Sequence, residues 1–115
     1  MIIIRFEYEG KYSKKGGELK WIPRVRKMYI LLMNMSVEDV TYSGLVDNIC
    51  RKMKVDEATT RLTISYMLPL CKNPTYIMDD EDVLCYLMEA NKDQSRNFLN
   101  VQPINTYQFK KILNS

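Results

Sequence analysis

Two clusters of charge hold most of the chemistry on offer in this sequence. Asp79, Asp80, Glu81 and Asp82 stand in a row, whereas Arg5, Lys20, Arg24, Arg26 and Lys27 lie near the start of the chain. Between Met1 and Met35 eight basic residues stand against three acids, and between Met78 and Asp93 six acids stand against Lys92 alone. A formal net charge of +3 therefore hides a dipole along the chain. Four consecutive carboxylates can cap a helix, meet a basic partner, or contribute to a cation site. The last requires oxygens arriving from several directions, which one short run does not supply. The basic set can dock an acidic protein face or grip phosphates. Trp21 and Tyr29 lie among these charges, as stacking residues do in a single-strand binder. A charge this thinly spread, with no recognition-helix or RNA-binding signature, makes nucleic acid the lesser reading.

Histidine is absent, which removes the commonest general acid, base and nucleophile activator. No carboxylate or lysine pair takes a recognisable catalytic arrangement, so the expectation is a binding module and not an enzyme, with no cofactor. Cys50, Cys71 and Cys85 are odd in number and have no ligand spacing, which argues against zinc. Cys50 and Cys85 fall on or beside apolar helix faces, so buried thiols in a reducing, intracellular setting are expected. No apolar run approaches a membrane span and no signal-peptide pattern opens the chain, so no membrane role is expected.

The elements that must position these groups follow from period. Ile2, Ile4, Phe6 and Tyr8 alternate with Ile3, Arg5, Glu7 and Glu9 as an opening strand. Gly10 to Gly17 reads as turn material with a flexible tip at Lys14–Gly17. Lys20 to Val25, interrupted by Pro23, is an edge segment or a connection, and Met28 to Met33 is a continuous apolar run that suits a buried strand. Thr41 is an N-cap for a helix to about Met53, with Leu45, Val46, Ile49, Cys50 and Met53 as its apolar stripe. Leu62, Ile64 and Tyr66 alternate in a further strand. A connection bracketed by Pro69 and Pro74 leads to a short strand at Tyr76–Met78. Asp79 or Asp80 then caps a helix whose apolar face is Val83, Leu84, Leu87 and Met88. Asn91 to Asn97 is loop, and Phe98 to Val101 is a last strand ended by Pro103. The chain reads as one domain over residues 1–104 with a weakly ordered tail over 105–115. Its class is α+β, a mixed sheet of four to five strands with one main and one short helix.

The order and lengths resemble a ubiquitin-like β-grasp. The opening Ile2-Ile3-Ile4-Arg5-Phe6 with Gly10-Lys11 resembles the N-terminal Phox/Bem-type domain of plant Mutator-like (MuDR or MUSTANG) transposases. So do Thr41-Tyr42 entering the helix Leu45–Met53, Leu62-Thr63-Ile64-Ser65-Tyr66, and Tyr76-Ile77 followed by Asp80, Asp82 and Val83. The resemblance implies a protein–protein interaction domain pairing front to back, a nuclear setting, and further DNA-binding and catalytic parts beyond residue 115. Mapped onto it, Asp79 to Asp82 form the acidic face, and Arg5 stands near an expected first-strand lysine. Tyr66, however, is followed by Met67-Leu68-Pro69-Leu70 where a first carboxylate cluster belongs. Half of that acidic face is missing.

The expected function is thus homo- or hetero-oligomerisation. An acidic face (Asp79, Asp80, Glu81, Asp82) would meet a basic face (Arg5, Lys20, Arg24, Arg26, Lys27) on another protein or a second copy. An exposed edge near Lys20–Met28 offers strand addition as another mode, and accessory nucleic-acid binding through the basic strands is the alternative.

Overall fold

Ile2, Ile4 and Phe6 are buried while Ile3 and Arg5 are exposed, so strand β1 (Ile2–Tyr8) turns one face to a core. The structure, a computed structural model, describes residues 1–69, 71–89 and 96–105. Strands β2 (Gly10–Lys15), β3 (Glu18–Pro23) and β4 (Tyr29–Met33) follow, then a 3-10 turn at Val37–Asp39 and helix α1 (Tyr42–Met53). Strands β5 (Thr60–Tyr66) and β6 (Thr75–Ile77), helix α2 (Asp80–Met88) and strand β7 (Leu99–Asn105) complete the described residues. The fold is α+β: a mixed five-stranded sheet in the order β4-β1-β7-β5-β6, with β2 and β3 as a separate hairpin. Among the described residues only β1 and β7 pair in parallel, with Phe6 opposite Leu99 and Tyr8 opposite Val101.

The helices cover the inner sheet face. Helix α1 is opened by Thr41, whose hydroxyl accepts from the Gly44 N–H at 3.0 Å, and it buries Leu45, Ile49 and Cys50. Lys54 ends it in the left-handed region at φ 58. Helix α2 buries Val83, Tyr86 and Leu87, and leaves Leu84 and Met88 exposed. Its inner face thus runs i, i+3, i+4 through a tyrosine, not through the Leu84–Met88 line expected from hydropathy. Tyr86 can be buried because its hydroxyl donates to the Asn97 carbonyl. Cys85 is exposed and Cys50 buried, so only one of the two expected buried thiols is inside.

The outer sheet face is split. Ser65 and Asn100 point away from the helices, since each sits between two core residues of its strand, yet both are buried. The β2–β3 hairpin covers them. The Tyr12 hydroxyl bonds Ser65 Oγ and accepts from Asn100 Nδ2 at 3.1 Å, while the Gly10 N–H donates to Gln102 Oε1 at 2.8 Å. Trp21 packs edge-on to Tyr12 with ring centroids 5.2 Å apart. The β5–β7 half of the face is therefore roofed, and the β1–β4 half is open among the described residues.

The hairpin replaces the turn expected over Gly10–Gly17. Only Gly16 and Gly17, at φ 62 and 84, make the turn, the left-handed pair that a two-residue hairpin favours. With Tyr12 the single large apolar residue on β2, the alternation was too polar to show. The Lys20–Val25 segment is an edge strand as far as Pro23, and Met28–Met33 is indeed mostly strand. Pro103 lies inside β7, opposite Leu62, and does not end it. The β1 pairing stops at Val101, so a residue without an N–H is tolerated just beyond it. The expected loop at Asn91–Asn97 lies partly, and the tail beyond Asn105 wholly, outside the described residues.

Two predictions test this packing. A Cβ added at Gly10 would sit 2.6 Å from both the Ile22 carbonyl oxygen and the Trp21 ring, so Gly10→Ala should lower Tm by roughly 10 °C, for a cost of about 2 kcal/mol. In thermal unfolding, an unchanged Tm would show that the hairpin does not press on Gly10. Burial pushes the phenols of Tyr8 and Tyr66 up to about 12, Tyr66 also through the Glu89 carboxylate beside it, and raises Tyr86. The unfolded chain releases these protons near the ordinary value of 10, so it binds fewer protons than the folded chain above that pH. Stability should be whole below pH 10 and fall as pH rises toward 12, read as circular dichroism lost together with the appearance of phenolate absorbance.

Candidate interaction surface

The expected acidic face is mostly occupied by the fold's own backbone. Asp79 Oδ1 accepts from the Asp82 N–H at 2.8 Å, and Asp82 Oδ2 accepts from the Met78 N–H at 2.9 Å. This reciprocal pair closes the start of α2. Asp80 Oδ1 accepts from the Tyr42 N–H at 2.7 Å, the first residue of α1. One carboxylate of α2 thus caps the other helix and fixes the two N-termini together. Glu81 is exposed and, among the described residues, its side chain makes no hydrogen bond or ion pair.

The basic residues occupy three elements. Arg5 projects from the outer face of β1 opposite Ile30, and Lys20 lies on β3 opposite Ser13. Arg24, Arg26 and Lys27 lie in the connection from β3 to β4. Arg24 pairs with Glu9 at 2.7 Å, and its own N–H donates to the Glu9 carbonyl at 2.9 Å. Glu9 itself stands at φ 66, which turns the chain out of β1 into the hairpin. Burial raises the Glu7 carboxyl, against the opposing charge of Arg26, and the Lys27 ammonium lies 5.0 Å from the centre of the Tyr29 ring.

A third surface is apolar. On the open half of the outer face Ile3 pairs with Leu32, and Arg5 with Ile30. Ile3, Ile30 and Leu32 are 39%, 43% and 63% exposed, with Met1 and Met28 also exposed nearby in the sequence. Strand β4 is the end of the sheet, so its outer backbone groups have no strand partner among the described residues. The open edge is therefore Tyr29–Met33, just after the Lys20–Met28 segment where it was expected. The signal lay in plain view. Ile2-Ile3-Ile4 and Met28–Met33 are continuous apolar runs, yet a strand with one covered face needs only every second residue apolar.

Two recesses complete the description. A cleft of about 1010 Å³ runs between the hairpin and the segments flanking β6 and β7, lined by Lys14, Lys20, Lys72, Trp21, Met67 and Phe98 among others. Trp21 Nε1 is buried without a hydrogen-bond partner. A groove of about 330 Å³ lies beside Tyr42, Val46, Tyr76 and Met78. Among the described residues there is no group of three or more His, Cys, Asp or Glu that could hold a metal, and no helix long and apolar enough to cross a membrane.

Residues 51–113, more than half of the chain, match the family described as the plant-specific N-all beta domain, and the chain belongs to that family. The matched segment holds β5, β6 and β7 but also α2. No curated protein and no solved structure matches the chain.

The Asp80 bond generates a prediction. Asp80→Ala leaves the Tyr42 N–H without its acceptor and should cost about 1 kcal/mol of stability, whereas Asp80→Asn, which keeps an oxygen there, should cost clearly less. Equal denaturant midpoints for the two variants would show that the contact contributes nothing as an acceptor.

Proposed function

We propose that this domain is a protein–protein interaction module of β-grasp type that docks through the β1–β4 end of its sheet. The single observation behind this reading is the outer face of Ile3, Ile30 and Leu32, uncovered among the described residues, beside a strand edge unpaired among them. Monomeric surfaces seldom keep contiguous apolar area next to free ladder groups, because that combination invites association. Strand addition uses both elements at once: backbone bonds give affinity, and alternate side chains give selection. The β-grasp reading is supported by the order β4-β1-β7-β5-β6 with a parallel first and last strand and a helix between the second and third sheet strands. A Phox/Bem-type domain of Mutator-like transposase origin, nuclear in setting, remains consistent with that order. In this reading the acidic run at Asp79–Asp82 serves the helix starts first. Glu81 is the carboxylate most available to a partner, and Arg5 selects acidic groups bordering the apolar strip.

A second reading has its own observation. The cleft under the hairpin combines three lysines with Trp21 and Phe98, a mixture that suits phosphates and bases. It predicts binding of a single-stranded oligonucleotide that weakens steeply with salt and is lost in Lys20→Glu with Lys72→Glu.

The interaction reading is tested by a two-hybrid screen of a plant library with the wild-type domain and with Ile30→Lys, Leu32→Lys. Both positions are exposed, so the variant should keep its stability within the few tenths of a kcal/mol usual for surface changes. Interactors recovered with the wild type should be lost with the variant. Their full retention, with loss instead on reversing Glu81, would move the site to the start of α2.

A further inference from the structure

We propose that the occupant of the β4 edge is a second copy of this chain, paired antiparallel about a two-fold axis through Leu31. The inference rests on the interaction reading above and adds the partner. Three observations carry it.

The first is the edge itself. Natural edge strands are blunted by charge, proline or bulges, and Tyr29-Ile30-Leu31-Leu32-Met33 has none of these. It pairs with β1 without interruption from Phe6 opposite Tyr29 to Ile2 opposite Met33.

The second is self-complementarity. An axis at Leu31 sets Ile30 opposite Leu32 of the other copy and Tyr29 opposite Met33. Outward residues then meet outward residues, and inward ones meet inward, as the pleat requires. The outer face acquires rows running Ile3, Leu32, Ile30, Arg5 across the junction, the first two from one copy and the last two from the other. Exposed Ile30 and Leu32 cover each other, and the two Arg5 guanidiniums fall at opposite ends of the paired rows, away from one another.

The third is the sign of charge at each end of the strand. Arg26 and Lys27 precede β4, and Glu38 and Asp39 follow it in the 3-10 turn. Among the described residues the side-chain ion pairs are Arg24–Glu9 and Arg51–Asp47, so none of these four is engaged in one. Antiparallel pairing brings each basic lead-in to the acidic turn of the other copy, at both ends. Parallel pairing would set like charge against like. A foreign strand would need the same apolar centre and the same opposite-signed ends, which β4 already supplies to itself.

The test is the solution mass of the 115-residue chain over a concentration series, for the wild type and four variants. The wild type should rise from 13.6 kDa toward twice that mass, and Leu32→Lys should hold it at the monomer. Arg26→Glu with Lys27→Glu makes both ends acidic, and Glu38→Lys with Asp39→Lys makes both ends basic. Each should weaken self-association about tenfold, and an equal mixture of the two should restore it as a heterodimer. Ile3→Ala, on the strip but off the junction, should weaken it least. A wild type that stays monomeric up to millimolar concentration overturns the proposal. So does a dimer indifferent to Leu32→Lys, or a mixture that fails to re-associate. If the wild type is monomeric while Ile30→Lys, Leu32→Lys still abolishes two-hybrid partners, the edge is an interaction site and only the second copy is wrong. If the partners persist as well, the interaction reading falls with it.

Discussion

The parallel pairing of β1 with β7 is the contact on which the rest depends. It joins the first strand to one that begins more than ninety residues later, so the whole of the intervening chain is closed into one loop by this contact. Strand β7 is then held on its other side by β5 from Thr60 opposite Asn105 to Ser65 opposite Asn100. With β7 central, β4 and β6 are forced to the two ends of the sheet. The three-residue β6 offers little free edge, whereas β4 offers five residues of it. The asymmetry of the molecule thus follows from one long-range pairing, which carries the closure cost of a long loop.

Local signals were readable where the chain states its own boundary. Thr41 and the Leu45, Ile49, Cys50 spacing located α1, and Leu62, Ile64, Tyr66 located β5, because cap chemistry and period act within a few residues. Asp79 was readable as a cap for the same reason. What Asp80 does was not. Its partner, the Tyr42 N–H, lies on another helix and comes within reach only once both pack on the sheet. The hairpin is hidden for a related reason: β2 and β3 form no part of the main core, so Tyr12 stands alone among polar residues on β2, and on β3 Ile22 and Pro23 follow Trp21 and break the alternation. Leu84 and Met88 misled because hydropathy ranks them above Tyr86, although a tyrosine with a partner for its hydroxyl packs as well as either.

The charged clusters show how far type and spacing go toward a site. Four carboxylates in a row are conspicuous in the sequence, yet three of them satisfy backbone donors at two helix starts. The less conspicuous surplus of isoleucine and leucine on β1 and β4 has no such internal use among the described residues. Function is better sought in what the fold leaves unspent than in what the sequence repeats.

The roof over β5 and β7 has a spectroscopic consequence. Trp21 is the only tryptophan in the chain, and it sits in the hairpin, against Tyr12 and the backbone at Gly10 and not among the residues beneath the helices. Its emission therefore reports whether the hairpin is seated, while the far-ultraviolet dichroism of α1 and α2 reports the core. A hairpin that lifts before the sheet comes apart would shift the fluorescence first and leave the helical signal unmoved. The protein thus carries a built-in probe of one layer, able to separate a local opening from the loss of the whole.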